Sequence, residues 1–462
     1  MYAKMRKLPD NPESELIGIC RRSVPREVAE RAALHLLDWL GCVFAAGQSG
    51  PARALARAQA GSGGSLLATA FDPARCDAQT GALASGALGN VLEMDDLHRA
   101  SLLHAGDTVC AAGLAVALRR PIRGDALLKA LARGYECSTR IGAAAASGGY
   151  TTFYNSGTCG VFGAAMAAAD LAGLDADGMA DALGQAGMQA AGIWQCRLEP
   201  TYSKQLATAH AARAGVLSAE LAAAGFPGAR HILTGEMGFF ASYYPNADLG
   251  ALTRTTQGGW AITETSFKPF PACRHTHPAI SAALELRPAL ADSPPRAIEV
   301  ATYGAAIDFC DQPHPESADA ARFSLQHAVA VALDRGAPAI ADFEGAALSD
   351  PRLAALRDKV RLRLSPGMDA AFPTRLGAGL TVTGDDGETR ETRCLNAWGD
   401  PENPMTQADL LAKFRTNTAH GGMAQEASDR LAQAVLSLPD AADAGPLKRA
   451  LAETQPPMME IA

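Results

Sequence analysis

Three stretches of this chain, GVFGAAMAAADLAGL (160–174), DGMADALGQAGMQAAGI (177–193) and QLATAHAARAGVLSAELAAAGF (205–226), are built almost wholly of alanine, glycine and a few larger apolar residues. Alanine is the best helix former, and side chains this small predict helices that pack closely and are buried. Upstream, VAERAALHLLDWLGCVFAA sets Leu34, Leu37, Leu40 and Phe44 at three- and four-residue steps, on one helical face. The reading from about residue 26 to 260 is therefore helix after helix. GSGGS at 61–65 resembles a phosphate loop only in composition. No strand and following acidic residue frame it, so it reads as a connector.

The texture changes near residue 263. AIEVATYGAAI and VRLRLS read as strands, and LTVTGDDGETRETRC as a hairpin turning at Asp386-Gly387. DAARFSLQHAVAVALDRG returns to helical period, and so does the tail after about residue 404. The fold class expected is mainly α: a large all-helical domain built from both chain ends (1–264 and 401–462), with a smaller α+β domain inserted over 265–400. A chain of 462 residues exceeds one ordinary core, which agrees with two domains.

Composition narrows the functional class. The net charge of −8, with no Lys/Arg cluster, gives no electrostatic case for nucleic acid. Ten cysteines occur singly, without a C-x-x-C pair, which argues for reduced thiols and against a zinc ribbon. MYAKMRKLPDNPESE does not read as a secretory segment. LHLLDWLGCVFAAG is interrupted by Asp38 and too short to span a bilayer. The expectation is a cytoplasmic globular protein with no membrane and no nucleic-acid partner.

Four segments concentrate polar groups. LEMDDLHRASLLHAGD (92–107) holds Glu93, Asp95, Asp96, His98 and His104. Its spacing matches neither H-E-x-x-H nor an EF-hand loop, so no metal is expected. It reads as an acid–base edge with His104 as the working member and Glu93 and Asp96 orienting it. Asp95 caps the helix that starts near Gly106 in this reading, and His98 is structural. TETSFKPFPACRHTHPAISAALEL places Lys268 among Phe267, Pro269 and Phe270, with Arg274, His275 and His277 just before a helix. The prolines restrict this backbone and hold the polar groups in place. In TYSKQLATAHAARAG, Ser203 suits an N-cap and puts Lys204 in the first turn, where the helix dipole opposes an ammonium. TTFYNSGTCGVFGAA carries Tyr154 into a helix through Gly157 and Gly160, whose amides can hold a carboxylate.

The order and wording of LLDWLGCVFAAG, EMDDLHRASLLHAG, GYECSTRIG, FYNSGTCGVFGAAMAAADLAGL, SKQLATAHAARAGVLSAELAAAGFPG, SFKPFPACRHTHPAI and DAARFSLQHAVAVALDRG resemble the MmgE/PrpD family, from about residue 28 to 430. That family includes 2-methylcitrate dehydratase, cis-aconitate decarboxylase and iminodisuccinate epimerase. The resemblance implies an all-helical domain with an α+β lid, a homodimer, and a cofactor-independent reaction that moves a proton next to a carboxylate. Such a reaction needs a base, cations aimed at the developing charge, and an acid. By position, Lys204 and Lys268 match the family's two active-site lysines and His104 matches its histidine. Tyr154 stands where decarboxylase and dehydratase members carry His. Glu93, Leu97, Ala207 and Phe309 also depart from the decarboxylase pattern, and the segment from Leu97 to His104 is one residue longer. These departures point away from decarboxylation. The expected activity is that of an epimerase or isomerase of a small di- or tricarboxylate, iminodisuccinate epimerase-like. A hydro-lyase of the 2-methylcitrate dehydratase type and a catalytically silent carboxylate binder are the alternatives. His104, Tyr154, Lys204 and Lys268 are the expected catalytic groups, and Glu93, Asp96, Arg274 and His277 the expected substrate-binding groups.

Overall fold

The computed structural model describes residues 11–59, 65–199, 201–254 and 259–454. Most of the GSGGS connector therefore lies outside the described residues. The chain divides into two compact units. The first comprises Met1–Val91, Asp95–Thr265 and Thr406–Ala462, and the second Leu92–Met94 with Ser266–Met405. The first unit is helical and the second mixes helices with a sheet, so the protein is mainly α.

In the first unit the Arg26–Ala45 helix is buried along almost its whole length. The C-terminal helix Gln407–His420 lies against it, with a ring carbon of Phe414 only 3.2 Å from where a Cβ on Gly41 would stand. The alanine-rich stretches form Gly160–Leu171, Ala176–Gly187 and Ser203–Ala223. Small residues here buy close backbone approach. A Cβ on Gly134, in the Gly124–Ala145 helix, would sit 2.7 Å from the Gly163 carbonyl oxygen, and one on Gly163 would sit 2.6 Å from the Gly134 carbonyl oxygen. A Cβ on Gly215 would meet the Ala165 backbone nitrogen at 2.6 Å. Dispersion summed over such dense contacts replaces the large side chains these helices lack. Asp170, the one residue of Gly160–Leu171 that is not fully buried, ends its helix in a 2.5 Å pair with Arg133.

The second unit holds a four-stranded sheet of order β2-β1-β3-β4, built from β1 (Pro295–Thr302), β2 (Val360–Leu364), β3 (Ala378–Gly384) and β4 (Thr389–Cys394). β1 and β2 run parallel with Val300 opposite Leu362, and the other pairs are antiparallel. The hairpin turns through Gly387 at φ 80°, where Asp386 Oδ1 accepts the Glu388 amide at 2.9 Å. β4 is an edge strand carrying Arg390, Glu391 and Arg393, charges that discourage pairing with another chain. Two expectations need correction. AIEVATYGAAI is strand only to Thr302, because the Gly304 amide donates to Asp369 Oδ1 at 2.8 Å and the chain then coils into Gly304–Cys310. DAARFSLQHAVAVALDRG is two helices, Ala318–Arg322 and Leu325–Asp334, because Ser324 caps the second by accepting the His327 amide. Among the described residues no helix is long and apolar enough to cross a membrane.

Candidate active site

In the first unit the stretch 95–107 folds back on itself before the Gly106–Leu118 helix begins. His98 and Leu103 exchange backbone hydrogen bonds at 2.9 and 3.4 Å, and Leu102 takes the left-handed φ of 49° that closes this loop. His98 Nδ1 lies 2.9 Å from Ser101 Oγ, so this histidine holds the loop. The two aspartates take each other's expected roles. Asp95 is the partner of His104: its Oδ2 lies 2.7 Å from His104 Nδ1, with the carboxylate fully buried. The contact is an ion-pair approach rather than an aligned hydrogen bond. Asp96 is the helix-start residue, its Oδ1 accepting the Gly106 amide at 3.0 Å.

Asp96 was expected among the substrate-binding groups, but its second oxygen is also committed. Oδ2 lies 2.7 Å from His35 Nδ1 and accepts from the Tyr135 hydroxyl at 2.5 Å. Arg31 Nε donates to His35 Nε2 at 3.1 Å and its Nη2 to the Thr265 carbonyl at 2.8 Å. With Nε2 accepting, His35 is the Nδ1–H tautomer and donates to Asp96. Burial, chiefly, pushes His35 down to about 4, against the pull of Asp96. Burial alone would raise the Asp96 carboxyl, but the His35, Tyr135 and Gly106 bonds hold it below its ordinary value. Burial likewise lowers Arg31 to about 10. A carboxylate so fully bonded holds the turn in place rather than reaching a ligand.

His104 is also tied to the Tyr154 segment. Its amide donates to Ser156 Oγ at 3.0 Å, and Asn155 Nδ2 donates to the Ser101 carbonyl at 2.9 Å. Tyr154 is fully buried, its ring centroid 4.4 Å from that of Trp194. Its carbonyl accepts the amides of Gly157 and Thr158, so these amides serve the turn rather than a carboxylate. Gly157 and Gly192 let the Ser203–Ala223 helix come close, with a Cβ at either position 3.4 and 3.6 Å from the Ala207 methyl. Lys204 sits one turn before Ala207 and is buried. Tyr202, not Ser203, is its helix's N-cap, and that cap makes no side-chain bond; Ser203 Oγ pairs instead with Thr201 Oγ1 at 2.8 Å. The first unit thus brings together the segments that carry His104, Tyr154 and Lys204.

In the second unit Lys268 is fully buried, with Nζ 3.6 Å from Glu93 Oε2. Glu93 is one of two described non-glycine residues with positive φ, at 54°. The Phe267 amide donates to the Gly399 carbonyl at 2.9 Å, and a Cβ on Gly399 would strike the Phe267 carbonyl. Ser266 Oγ donates to Asp400 Oδ1 at 2.7 Å, and the same oxygen pairs with Arg274 Nη2. Arg274, expected to bind substrate, is therefore buried against Asp400. His277, expected likewise, places Nε2 3.0 Å from the Ala272 carbonyl and its ring centroid 5.4 Å from that of Phe270. Its position is that of a histidine bracing the start of the His277–Leu286 helix. His275 contacts the Tyr303 hydroxyl at 2.5 Å through Nδ1, and its ring lies 5.2 Å from Phe309.

Sequence reasoning missed His35, Asp38, Tyr135, Lys413, Tyr303 and Asp400. Asp38 alone left a signal, a carboxylate inside a run of apolar helix. The others pair across distances that no local pattern encodes. Among the described residues no three His, Cys, Asp or Glu side chains are grouped to hold a metal ion.

Comparisons with known proteins agree with this arrangement of chain. The MmgE/PrpD N-terminal domain matches residues 17–251 and the MmgE/PrpD C-terminal domain residues 270–438. Cis-aconitate decarboxylase of Mus musculus is 29% identical over 315 residues, 65% of this chain and 62% of its own length. The Homo sapiens protein of that name is 29% identical over 318 residues, covering 66% and 64%. A cis-aconitate decarboxylase-like protein of Aspergillus oryzae is 27% identical over 399 residues, covering 80% and 81%. The match thus spans a little under two thirds of the mammalian relatives. With both domain models matched in order, and together over most of its length, this chain belongs to the MmgE/PrpD family.

Proposed function

We propose that this protein is an enzyme that removes and returns a proton at a carbon next to a carboxylate of a small di- or tricarboxylate. The observation that carries this reading is the buried Asp95 carboxylate 2.7 Å from His104 Nδ1. A carboxylate this close to one ring nitrogen orients the imidazole and leaves Nε2 for proton exchange, the arrangement used by general acid–base histidines. The buried Lys204 side chain, in the same unit as His104, supplies positive charge for a substrate carboxylate and for the charge that grows on it as the proton leaves. No step of this scheme draws on a cofactor.

The favoured outcome is epimerisation, as in iminodisuccinate epimerase. Tyr154 stands beside the His104 segment and can serve the opposite face of a planar carbanion. The decarboxylase names of the relatives favour a second outcome at the same residues, a lyase reaction such as loss of water. Two copies of the chain are part of this proposal. Met188, Ile193, Leu198, Tyr202 and Leu206 all lie between residues 188 and 206 and are all exposed, a large apolar load for a surface segment.

Proton NMR in D₂O with imino, hydroxy and unsaturated di- and tricarboxylates tests the reaction. Deuterium entering the carbon next to a carboxylate, with the skeleton kept, is the expected result. Inverted configuration assigns the epimerase, and an alkene assigns the lyase. A ligand that binds without exchange would replace both readings with a silent carboxylate binder.

A further inference from the structure

Tyr154 and His104 belong to different segments of the first unit, and the two residues that follow Tyr154 tie those segments together. Asn155 and Ser156 are both buried, in the one-turn helix Asn155–Thr158. Asn155 Nδ2 donates to the Ser101 carbonyl at 2.9 Å, and Ser156 Oγ accepts the His104 amide at 3.0 Å. Each bond joins a side chain of one segment to the main chain of the other, so it sets where the backbones lie. A third segment orients the Asn155 amide: the Tyr244 hydroxyl donates to its Oδ1 at 3.0 Å and lies 2.7 Å from Thr158 Oγ1. On its other side the Tyr154 segment is paired with residues 192–194. The Tyr154 amide donates to the Gly192 carbonyl at 3.1 Å, and the Trp194 amide to the Thr152 carbonyl at 2.9 Å. Buried polar groups are costly unless bonded, and apolar side chains would fill the same space without that risk. What a bonded network adds is a single geometry.

We propose that Asn155 and Ser156 are positioning residues that set the spacing of Tyr154 and His104, and so govern how often an abstracted proton is followed by completed product. The proposal rests on the reading of His104 and Tyr154 given above and deepens it. His104 takes the proton, and the electron pair of the broken C–H bond stays on the carbon and its carboxylate. That pair has two fates. It takes a proton back from His104 on the same face, which returns the substrate. Otherwise it takes one from the Tyr154 hydroxyl on the opposite face, which inverts the carbon; where a hydroxyl leaves instead, the same proton releases it as water. Afterwards His104 gives its proton to solvent and Tyr154 regains one. Completion thus needs the second group in reach while the pair persists, and a displacement of about 1 Å costs on the order of 10²-fold. Tyr154 adjoins Asn155 and is two residues from Ser156, so little chain lies between the ties and the hydroxyl-bearing residue to absorb a shift.

The test compares two rates measured together by proton NMR in D₂O with imino, hydroxy and unsaturated di- and tricarboxylates. One is deuterium entering recovered substrate of retained configuration, and the other is product, whether inverted or unsaturated. Ser156→Ala removes the acceptor of the His104 amide, and Ser156→Cys keeps a weaker, longer one. Asn155→Leu is close in size and makes neither bond. The expected result is a ratio of exchange to product that rises about tenfold or more in Ser156→Ala and Asn155→Leu, and less in Ser156→Cys. A loss of folded protein lowers both rates alike, so a merely structural role leaves the ratio where it was. Tyr244→Phe lies outside both segments and raises the ratio through Asn155, which gives the same reading if the other variants do not fold. Exchange and product at an unmoved ratio in folded variants overturn the positioning role alone. Neither exchange nor product in the unaltered protein, with a carboxylate that binds, overturns the reading of His104 and Tyr154 and this proposal with it.

Discussion

Glu93 pairs with Lys268 from a backbone conformation that ordinary residues avoid. A left-handed φ costs a non-glycine residue roughly 1 kcal/mol or more, and glycine almost nothing. Glu93→Ala removes the carboxylate and keeps the strain, whereas Glu93→Gly removes both. In denaturant unfolding both variants should be less stable than the parent, with the glycine variant about 1 kcal/mol above the alanine one. Equal stability would mean that the 54° φ stores no strain. For His104, replacement by Ala should lower turnover by about 10²-fold or more while ligand binding persists, the size of a lost general acid–base group. At this scale the sequence marked 92–107 as a polar stretch but not which pairs form in it. Asp95 and Asp96 are adjacent and chemically identical. Only the path of the turn decides that one meets His104 and the other meets His35, Tyr135 and the Gly106 amide.

The Arg26–Ala45 helix and the 95–107 turn behave as one element, because His35 and Asp96 join them inside the unit. Their protonation gives a signed pH dependence. His35 is depressed in the folded state, so its contribution is whole above its unfolded value of 6.5 and is lost as pH falls through about 4. Asp96 is also depressed and adds to the loss at still lower pH. Asp38 is raised and runs the other way, its contribution present below its unfolded value of 3.8 and lost as pH rises through about 6. His35→Gln keeps a donor for Asp96 and cannot titrate. Stability measured from pH 7 down to 4 should then fall by roughly 3 kcal/mol less than in the parent. Elements themselves were mostly legible. The Asp-Gly turn located the β3–β4 hairpin, since glycine alone takes that φ freely. The strand ending at Thr302 and the helix broken at Ser324 were not, because a distant carboxylate ends the first and a side-chain cap starts the helix after the break.

Across the whole molecule, the alternation of helical and mixed text announced two units, and the structure adds Leu92–Met94 to the second. Three residues cannot carry a periodic signal, so this excursion had no sequence signature. The exposed apolar residues between 188 and 206 carry a prediction of their own. Light scattering should give twice the 47.8 kDa chain mass, and Ile193→Asp with Leu198→Glu should return it to one. A parent that already runs as one chain would remove the dimer from the proposal. The reciprocal approach of Gly134 and Gly163 bears on heredity rather than on stability alone. Alanine is the better helix former, yet at either position its methyl would press on the other residue's carbonyl oxygen at 2.6–2.7 Å. No change of side chain at the partner relieves a collision with main-chain atoms. A cell that depends on this protein and carries Gly163→Ala should therefore regain growth chiefly by restoring the glycine codon, with few second-site suppressors.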